Sequence, residues 1–329
     1  MSKFESAVAE PERFRQKPWD LAMNFFLKYN TIIIFLLMLI IASFASDVFF
    51  SEKNVFNLLR QVAPLGAVGM GMLLVILTGG IDLSVGSVTA LTSVLVAYFL
   101  VTMSLPLAII LTVLIGTLTG AVSGYLVSRR NMAPFVATLA LMTIARGMAF
   151  IISKGSPIMV ENEVLNNFGS AYWLKIPLPV FIMLIIFALV LFILKYRVFG
   201  RLITATGSNE SAVRLAGIRV PFYKFAVYCI SGAFCSIAGI IYTSRTGVGS
   251  PVVGTGLELD AIAAVVIGGA SLNGGKGTAL NTLLGVFILG MIGNIMNLMN
   301  VPGYPQQVIK GLIIIFAVLF QGMQRKSNT

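Results

Sequence analysis

Two long stretches of this chain, Leu83 to Ser128 and Gly277 to Ile309, contain no acidic or basic side chain. A helix that crosses a bilayer needs about 20 consecutive apolar residues, and each stretch is longer than that. The chain is 57% hydrophobic and 11% charged, whereas a soluble domain carries about 25% charged residues. The sequence therefore predicts an all-α polytopic membrane protein, because the alternating polarity of a membrane β-barrel is absent from it.

The basic residues indicate how the chain is oriented in the membrane. There are 23 Lys and Arg against 12 Asp and Glu, a net charge of +11, and most of the bases lie in short segments between apolar tracts. The positive-inside rule assigns such segments to the cytoplasm, which predicts that the N-terminus and the C-terminus are both cytoplasmic. Bases distributed in this way do not form the single basic face of a nucleic-acid-binding protein, so no nucleic-acid partner is expected.

Hydropathy predicts about ten transmembrane helices, of which the eighth has the shortest apolar core. They are expected at residues 31–49, 60–79, 84–103, 106–127, 133–153, 177–195, 222–243, 257–273, 278–299 and 306–322. The chain would then comprise a cytoplasmic N-terminal segment (1–30), a transmembrane domain (31–322) and a cytoplasmic tail (323–329). The largest cytoplasmic loop of that domain would be residues 196–221.

The chain offers little for a metal or cofactor site. It has no His and two Cys, and Cys229 and Cys235 are six residues apart, which puts them on different faces of a helix. The stretch GGASLNGGKGT (268–278) fails as a phosphate loop, because Ala270 replaces the first glycine and Gly277, instead of Ser or Thr, follows Lys276. No metal, cofactor or bound ATP is therefore expected.

A short repeat predicts two interrupted helices. GGIDLSVGSVTAL (79–91) and GGASLNGGKGTAL (268–280) align without gaps and are identical at seven of thirteen positions. Internal repeats are common in transporters, and paired glycines can end a helix because glycine tolerates positive φ. We expect an apolar helix to end at Gly79-Gly80 and another at Gly268-Gly269, each followed by a polar turn and a new helix.

Asp82 is the only charged residue between Gln61 and Ser128. Asp82 or Ser84 could cap the helix that follows the first glycine pair by accepting from its free N–H groups. Either residue could also line a permeation path, because irregular backbone at membrane depth persists only when it is buried in protein or beside water. The two roles are compatible, and the sequence leaves both open.

Five further polar residues lie within or at the ends of apolar segments, and each has a structural and a functional interpretation. Arg146, deep in its span, either pairs with a carboxylate or contacts the solute. Glu258 and Asp260 suit the N-terminus of the eighth segment but could also line the path. Asn294 and Asn297 share a helix face and either join helices or hydrogen-bond a hydroxylated solute.

The loop 196–221 contains one predicted helix, SNESAVRLAG (208–217). Ser208 is the expected N-cap, Glu210 falls in the first turn, Arg214 lies near the end and Gly217 takes the C′ position. A helix of about two turns is marginal alone in water. It therefore needs a surface to pack on, either a protein partner or the membrane and its own bundle.

Four blocks of this sequence resemble the permease subunits of ribose-type sugar ABC importers. They are LTGGIDLSVGSV, PFVATLALMTIARG, FGRLITATGSNESAVRLAGI and ELDAIAAVVIGGASLNGGKGT. The resemblance extends from about residue 31 to residue 322, with the blocks in the order and spacing of the family. Permeases for xylose, galactosides, galactofuranose and autoinducer-2 share these blocks, so the resemblance does not identify the solute.

The resemblance implies a multi-pass subunit of the bacterial cytoplasmic (inner) membrane that binds no nucleotide and pairs with a second permease copy or a related permease. Its other implied partners are cytoplasmic ABC ATPase subunits, an extracytoplasmic sugar-binding protein and the lipid bilayer. By this likeness GSNESAVRLAGI (207–218), the coupling segment, docks on the ATPase. The residues carried over are Gly207, Asn209, Glu210, Ala212 and Gly217, together with Arg214 in the same segment.

The sequence thus favours a passive gate that alternates between outward and inward access and is driven by ATP hydrolysis on its partners. A loaded binding protein would dock on the outer loops, chiefly residues 154–176 and 244–257. The alternative is an ion-coupled secondary transporter in which Asp82 or Glu258 titrates, although intramembrane acids are scarce here. A membrane enzyme is disfavoured because no nucleophile–base pair or metal cluster is present in the sequence.

Overall fold

The structure, a computed structural model, describes the backbone of residues 18–327 and the side chains of residues 29–313, 315 and 316. The described part is almost entirely helical. Its helices are α1 Pro18–Ala45, α2 Glu52–Leu77, α3 Val85–Leu100, α4 Leu105–Arg129, α5 Pro134–Ser153, α6 Glu163–Ser170, α7 Leu178–Tyr196, α8 Val198–Ser208, α9 Glu210–Leu215, α10 Val220–Thr246, α11 Leu257–Ile267, α12 Ala279–Leu298 and α13 Gly303–Ser327.

Six helices of the described part are long and apolar enough to cross a membrane, namely α2, α4, α5, α7, α10 and α12. The apolar part of α1 (Tyr29–Ala45) and α3 are shorter. The prediction of a polytopic helical membrane protein is therefore confirmed. The count of ten crossings and the cytoplasmic position of both termini stay predictions.

The eighth predicted span, 257–273, is wrong as a continuous helix. The helix there, α11, has 11 residues and ends at Ile267. At 1.5 Å per residue it is about 16 Å long, roughly half of the 30 Å hydrocarbon core. The apolar residues are continuous enough to mimic a span, but the glycine pair that follows Ile267 ends the helix.

Helix α2 lies at the centre of the bundle. Of its most apolar window 83% is buried, whereas the corresponding values for α4, α5 and α7 are 22%, 28% and 28%. It packs against α7, α10, α11 and α12. The apolar faces that α4, α5 and α7 leave exposed are those that lipid covers in a membrane protein.

Helices α4 and α10 approach each other closely along a row of glycines. A Cβ atom on Gly120 would lie 2.2 Å from the carbonyl oxygen of Tyr228 and 3.2 Å from the Cα of Gly232. Gly116 and Gly124 stand one turn away on either side and also face α10. Small residues at a four-residue spacing are what allow membrane helices to touch backbone to backbone.

The segment between α5 and α7 is ordered by two short antiparallel pairs. Strand β1 (Ile158–Met159) pairs with β4 (Val248–Gly249), and β2 (Tyr172–Trp173) pairs with β3 (Ile176–Pro177). The ring of Trp173 packs 5.0 Å from that of Phe181. The β1–β4 pair joins the two segments, 154–176 and 244–257, that the sequence assigns to one side of the membrane.

Candidate functional site

The first glycine pair ends α2 through a Schellman motif. The N–H of Gly79 donates to the carbonyl oxygen of Ile76 (2.9 Å), and the N–H of Gly80 donates to that of Val75 (3.2 Å). Gly79 has φ +80°, a left-handed conformation that glycine adopts without steric cost. Leu77 is therefore the last residue of α2, as the glycine pair predicts.

The second pair ends α11 in the same way, one residue out of step with the sequence alignment. Here the N–H of Gly269 donates to Val266 (2.8 Å) and the N–H of Ala270 donates to Val265 (3.1 Å), with Gly269 at φ +80°. Gly79 is thus equivalent to Gly269 and not to Gly268. The next helices also begin at different points, α3 at Val85 and α12 at Ala279, so the gap-free alignment is not a structural one.

The two breaks meet each other and the end of α8. The N–H of Gly275 donates to the carbonyl oxygen of Leu77 at 3.0 Å. A Cβ on Gly274 would lie 2.8 Å from the backbone nitrogen of Gly79 and 2.8 Å from the Cα of Gly207. We call this contact of Gly79, Gly207, Gly274 and Gly275 the glycine junction. It joins the coupling segment directly to both helix breaks, a contact that no local pattern in the sequence predicts.

The loop 196–221 contains two helices, α8 and α9, where the sequence predicts one. Ser208 is the last residue of α8 and its hydroxyl donates to Thr204 O (3.1 Å), so the prediction of Ser208 as N-cap is wrong. Asn209, in an extended conformation, separates the helices and caps α9 by accepting from the N–H of Ala212 (3.0 Å). Gly217 has φ +76° and follows the C-cap Ala216, as predicted.

Glu210 holds α9 against the start of α10. One of its carboxylate oxygens accepts from Arg214 Nη2 at 2.6 Å and the other from Lys224 Nζ at 2.5 Å. Burial disfavours the ionised acid, but the hydrogen bonds from Lys224 and Arg214 outweigh it and hold the pKa of Glu210 below its ordinary value of 4.5. The pairs are therefore fully formed at neutral pH and are lost only as the pH falls through the lowered pKa.

Asp82 lies in the first break and is almost fully buried. One carboxyl oxygen accepts from the N–H (3.0 Å) and the hydroxyl (2.6 Å) of Ser84, and the other accepts from Ser231 Oγ (3.0 Å) on α10. Ser84 is the N-cap residue of α3 but makes no side-chain cap bond, so capping by Ser84 is wrong. Asp82 instead orders the turn just before α3 and ties it to α10.

These three hydrogen bonds predict how strongly two substitutions of Asp82 should lower the stability of the chain. Asp82→Ala removes all of them, at about 1 kcal/mol each, and should lower the melting temperature of the purified chain by several degrees. Asp82→Asn keeps an acceptor for Ser84 and can donate to Ser231, so it should cost about a third as much. Thermal unfolding measures both, with Asp47→Ala at an exposed position as the control.

Asp82→Asn also separates the two roles that the sequence leaves open for this residue. Partial transport is expected if Asp82 only orders the turn. A stable Asp82→Asn chain that assembles normally and transports nothing would instead favour direct participation in the path.

Arg146 makes no salt bridge within 4.0 Å in the described part of the chain, but it is close enough to Glu258 for the two charges to attract each other, so the expected carboxylate pairing is present only as a longer-range interaction. Its Nη1 donates to the carbonyl oxygens of Pro251 (2.6 Å) and Val253 (2.9 Å), which precede α11. Backbone carbonyls suffice because their partial negative charge stabilises a half-buried guanidinium. Glu258 Oε2 is buried beside Gly86 and has no hydrogen-bond partner among the described residues.

The remaining candidates join helices in pairs. Asp260 accepts from Lys310 Nζ at 2.8 Å. The amides of Asn294 and Asn54 exchange two hydrogen bonds of 2.9 Å between α12 and α2, and the exposed Asn297 accepts from Gln306 (2.8 Å). Asn294 and Asn297 therefore have separate partners despite their spacing.

The seven intramembrane candidates form separate local groups in the described part of the chain. Asp260 and Lys310 line a cavity of about 190 Å³ that Gln61 and Tyr242 also border. Asp82 lies with Ser84, Arg146 lies near Glu258, and the two asparagines have partners of their own. The glycine junction brings a residue of the coupling segment together with both helix breaks.

Comparison with known proteins assigns the chain to a class. The family model described as "Branched-chain amino acid transport system / permease component" matches residues 54–318. The chain is 42% identical over 302 residues to the ribose import permease protein of Haemophilus influenzae, which covers 90% of this chain and 93% of that protein. Its identity to the ribose import permease protein of Bacillus subtilis is 43% over 286 residues, 86% of this chain and 89% of the relative.

A third relative is the L-arabinose ABC transporter permease protein of Azospirillum brasilense, 34% identical over 325 residues, with 98% of this chain and 94% of the relative covered. No solved structure matches the chain. All three relatives are named as permeases, that is, as transport components and not as enzymes, which confirms the resemblance drawn from the four blocks. Six apolar helices of membrane-spanning length and a family match over most of its length agree that the chain belongs to the family of permease components of branched-chain amino acid transport systems.

Proposed function

We propose that the chain is the membrane permease subunit of an ABC importer that carries a monosaccharide, ribose or a similar pentose or hexose, across the bacterial cytoplasmic membrane. The observation that carries this proposal is the 34–43% identity to permeases named for ribose and L-arabinose. The family description names branched-chain amino acids, but the relatives matched along nearly their whole length are named for sugars. Hydroxyl groups predominate among the buried polar side chains, which suits a neutral polyhydroxylated solute.

The proposed topology has about ten crossings, with α11 and the loop after it as an incomplete eighth. Both termini (1–30 and 323–329) would be cytoplasmic and flank the permease domain 31–322. The clustering of Arg129, Arg130, Arg197, Arg201 and Arg219 at the ends of α4, α7 and α10 and on α8 supports this orientation. A second permease copy, ATPase subunits on the cytoplasmic side and a binding protein on the outer loops would complete the importer.

In this scheme the ATPase binds α9, and the resulting displacement of α9 is transmitted to the transmembrane helices through the glycine junction. Two features support such a link. Glu210 fastens α9 to the start of α10, and Gly207 touches both helix breaks without an intervening side chain. Atoms in direct backbone contact cannot move independently. A displacement of α9 would therefore also displace the ends of α2 and α11.

Uptake into membrane vesicles that contain the chain and its partners tests the function. We expect accumulation of labelled ribose or a related sugar that requires ATP and is abolished by vanadate. Leucine, isoleucine and valine serve as the competing solutes named by the family description. Uptake that survives removal of the ATPase but is abolished by an uncoupler would establish the ion-coupled alternative and overturn the proposal.

The ion pairs of Glu210 give a prediction for coupling. Glu210→Gln removes both pairs, each worth up to about 1 kcal/mol at this exposure, and should lower ATP-dependent uptake about three- to tenfold with normal expression. Exchanging the charges (E210R with R214E) keeps the pair within α9 but sets Arg beside Lys224. It should therefore lower uptake at least as much as E210Q and uncouple ATP hydrolysis from transport.

The control for both variants is Asp47→Asn, which removes an equal charge at an exposed position outside the coupling segment and outside the two loops proposed for the binding protein. The ratio of sugar imported to ATP hydrolysed is the measurement. Full uptake by the charge-exchanged protein would show that Lys224 is irrelevant and would count against α9 as the docking element.

A further inference from the structure

A pocket with two arginines lies where α4 ends, beside α8 and the start of α10. Its volume is about 570 Å³. It is lined by Arg129, Leu202, Ile218, Arg219, Pro221, Phe222 and Tyr223. We call it the two-arginine pocket. The coupling segment forms one of its walls, because Ile218 is the last residue of that segment.

The two arginines have no anionic partner in the protein. Neither Arg129 nor Arg219 forms an ion pair or a side-chain hydrogen bond with any described residue. The acid nearest in the chain to Arg219, Glu210, is already engaged by Arg214 and Lys224. Two guanidinium groups at the rim of one cavity, with no acid between them, create a positive potential that favours an anion.

The pocket stands at the end of a face that lipid covers. Leu114, Leu118, Val122 and Tyr125 are each between 45% and 55% exposed, and their spacing of three or four residues puts them on one face of α4. Arg129 continues this face four residues after Tyr125. An acyl chain that lies along α4 would therefore have its headgroup at the pocket.

The walls of the pocket suit the rest of such a molecule. Phe222 is 56% exposed and, with Pro221, Leu202 and Ile218, provides apolar surface next to the two charges. Basic pockets between transmembrane helices on the cytoplasmic side are suited to the headgroups of anionic lipids. A soluble anion would gain nothing from this apolar surface, and a second copy of this chain would have to bring an acid to it.

We propose that the two-arginine pocket binds the phosphate headgroup of one anionic phospholipid, such as phosphatidylglycerol, per chain. Arg129 and Arg219 hold the phosphate while the acyl chains follow the exposed face of α4. Because Ile218 and Arg219 connect α9 to α10, the bound lipid holds the coupling segment at the membrane surface. This site depends on the chain being a membrane protein and not on which solute it transports.

Native mass spectrometry of the purified full-length chain, titrated with phosphatidylglycerol or with phosphatidylcholine of the same acyl length, tests the proposal. The double variant Arg129→Gln with Arg219→Gln should bind the first phosphatidylglycerol about tenfold more weakly, since each basic residue contributes appreciably to anionic lipid binding. Its binding of phosphatidylcholine should not change. Both arginines are exposed, so the fold should persist, and the melting temperature checks this.

The matched control is Lys195→Gln with Arg197→Gln. It removes two charges at the end of α7, where these groups lie over the rings of Tyr196 (5.3 Å) and Phe192 (5.1 Å) and do not line the pocket. If the control binds phosphatidylglycerol as weakly as the first double variant, the effect comes from net charge alone and the proposed site is wrong. If the first double variant does not fold, Arg129→Lys with Arg219→Lys takes its place and should weaken binding less.

Two other results would also overturn the proposal. One is displacement of the lipid by millimolar inorganic phosphate, which would make the pocket a site for a soluble anion. The other is unchanged lipid binding together with loss of a dimer in the double variant, which would make the pocket an interface between two copies. None of these outcomes bears on sugar uptake, so the proposed function stands or fails separately.

Discussion

Gly120→Val is expected to prevent α4 from packing against α10 and to lower the melting temperature of the purified chain by about 10 °C or more. The first carbon of the new side chain would lie 2.2 Å from the carbonyl oxygen and 3.0 Å from the carbonyl carbon of Tyr228. Both atoms are backbone and cannot rotate away. Overpacking usually costs about 1–3 kcal/mol, and a clash with backbone along this glycine-lined helix crossing should reach or exceed the upper end.

The measurement is the midpoint of thermal unfolding, followed by size-exclusion fluorescence in detergent. Gly147→Val is the matched control, because Gly147 is also in a helix, is exposed, and has nothing within 4 Å of the added carbon. The control should melt within a few degrees of the parent chain. A Gly120→Val protein that melts like the control would mean that α4 and α10 are further apart than the structure shows.

Gly207→Ala is expected to separate transport from ATP hydrolysis. The added carbon would lie 2.0 Å from the carbonyl oxygen of Leu77 and 2.6 Å from the nitrogen of Gly275. An unstrained contact needs more than 3 Å, so the end of α8 must move away from the helix breaks by roughly 1 Å, as interiors are close-packed. We expect this displacement to weaken the coupling between α8 and the helix breaks by at least about 1.4 kcal/mol, which corresponds to a tenfold fall in ATP-dependent uptake. The complex should still hydrolyse ATP.

Two variants check that the glycine junction is responsible. Gly275→Ala approaches the same junction from its other side, with the new carbon 2.8 Å from the Cα of Ser208, and should uncouple transport in the same way. Gly217→Ala lies in the coupling segment but has nothing within 4 Å. It carries only the cost of a left-handed conformation, about 1–2 kcal/mol, and should retain most of the uptake.

The quantity to follow is sugar imported per ATP hydrolysed in vesicles with the partner subunits. Normal stoichiometry in Gly207→Ala would eliminate the junction as a mechanical link, whatever the role of α9. A fall in melting temperature as large as that expected for Gly120→Val would assign the loss to unfolding and would equally remove support for the link.

Local features of the sequence predicted the membrane class, both helix breaks and the glycine that follows α9. Long uncharged tracts identify bilayer spans, and a glycine at the end of a helix acts within one helical turn. The errors are also local in origin. Averaging hydropathy over a window as long as a membrane span hides the short length of α11. Ser and Asn are equally good N-cap residues, and the choice between Ser208 and Asn209 depends on where α8 ends, which the sequence does not show.

Tertiary structure alone decided which polar groups meet. Ser231 reaches Asp82 from 149 residues away, and Asn54 is paired with Asn294 over a separation of 240 residues. The glycine junction likewise unites residues near 79, 207 and 275. The sequence by itself determined the membrane class and where α2 and α11 end, because hydropathy and glycine caps depend on neighbouring residues. The partners of buried polar groups depend on how helices cross, and helix crossing is fixed by side-chain volumes contributed from distant parts of the chain.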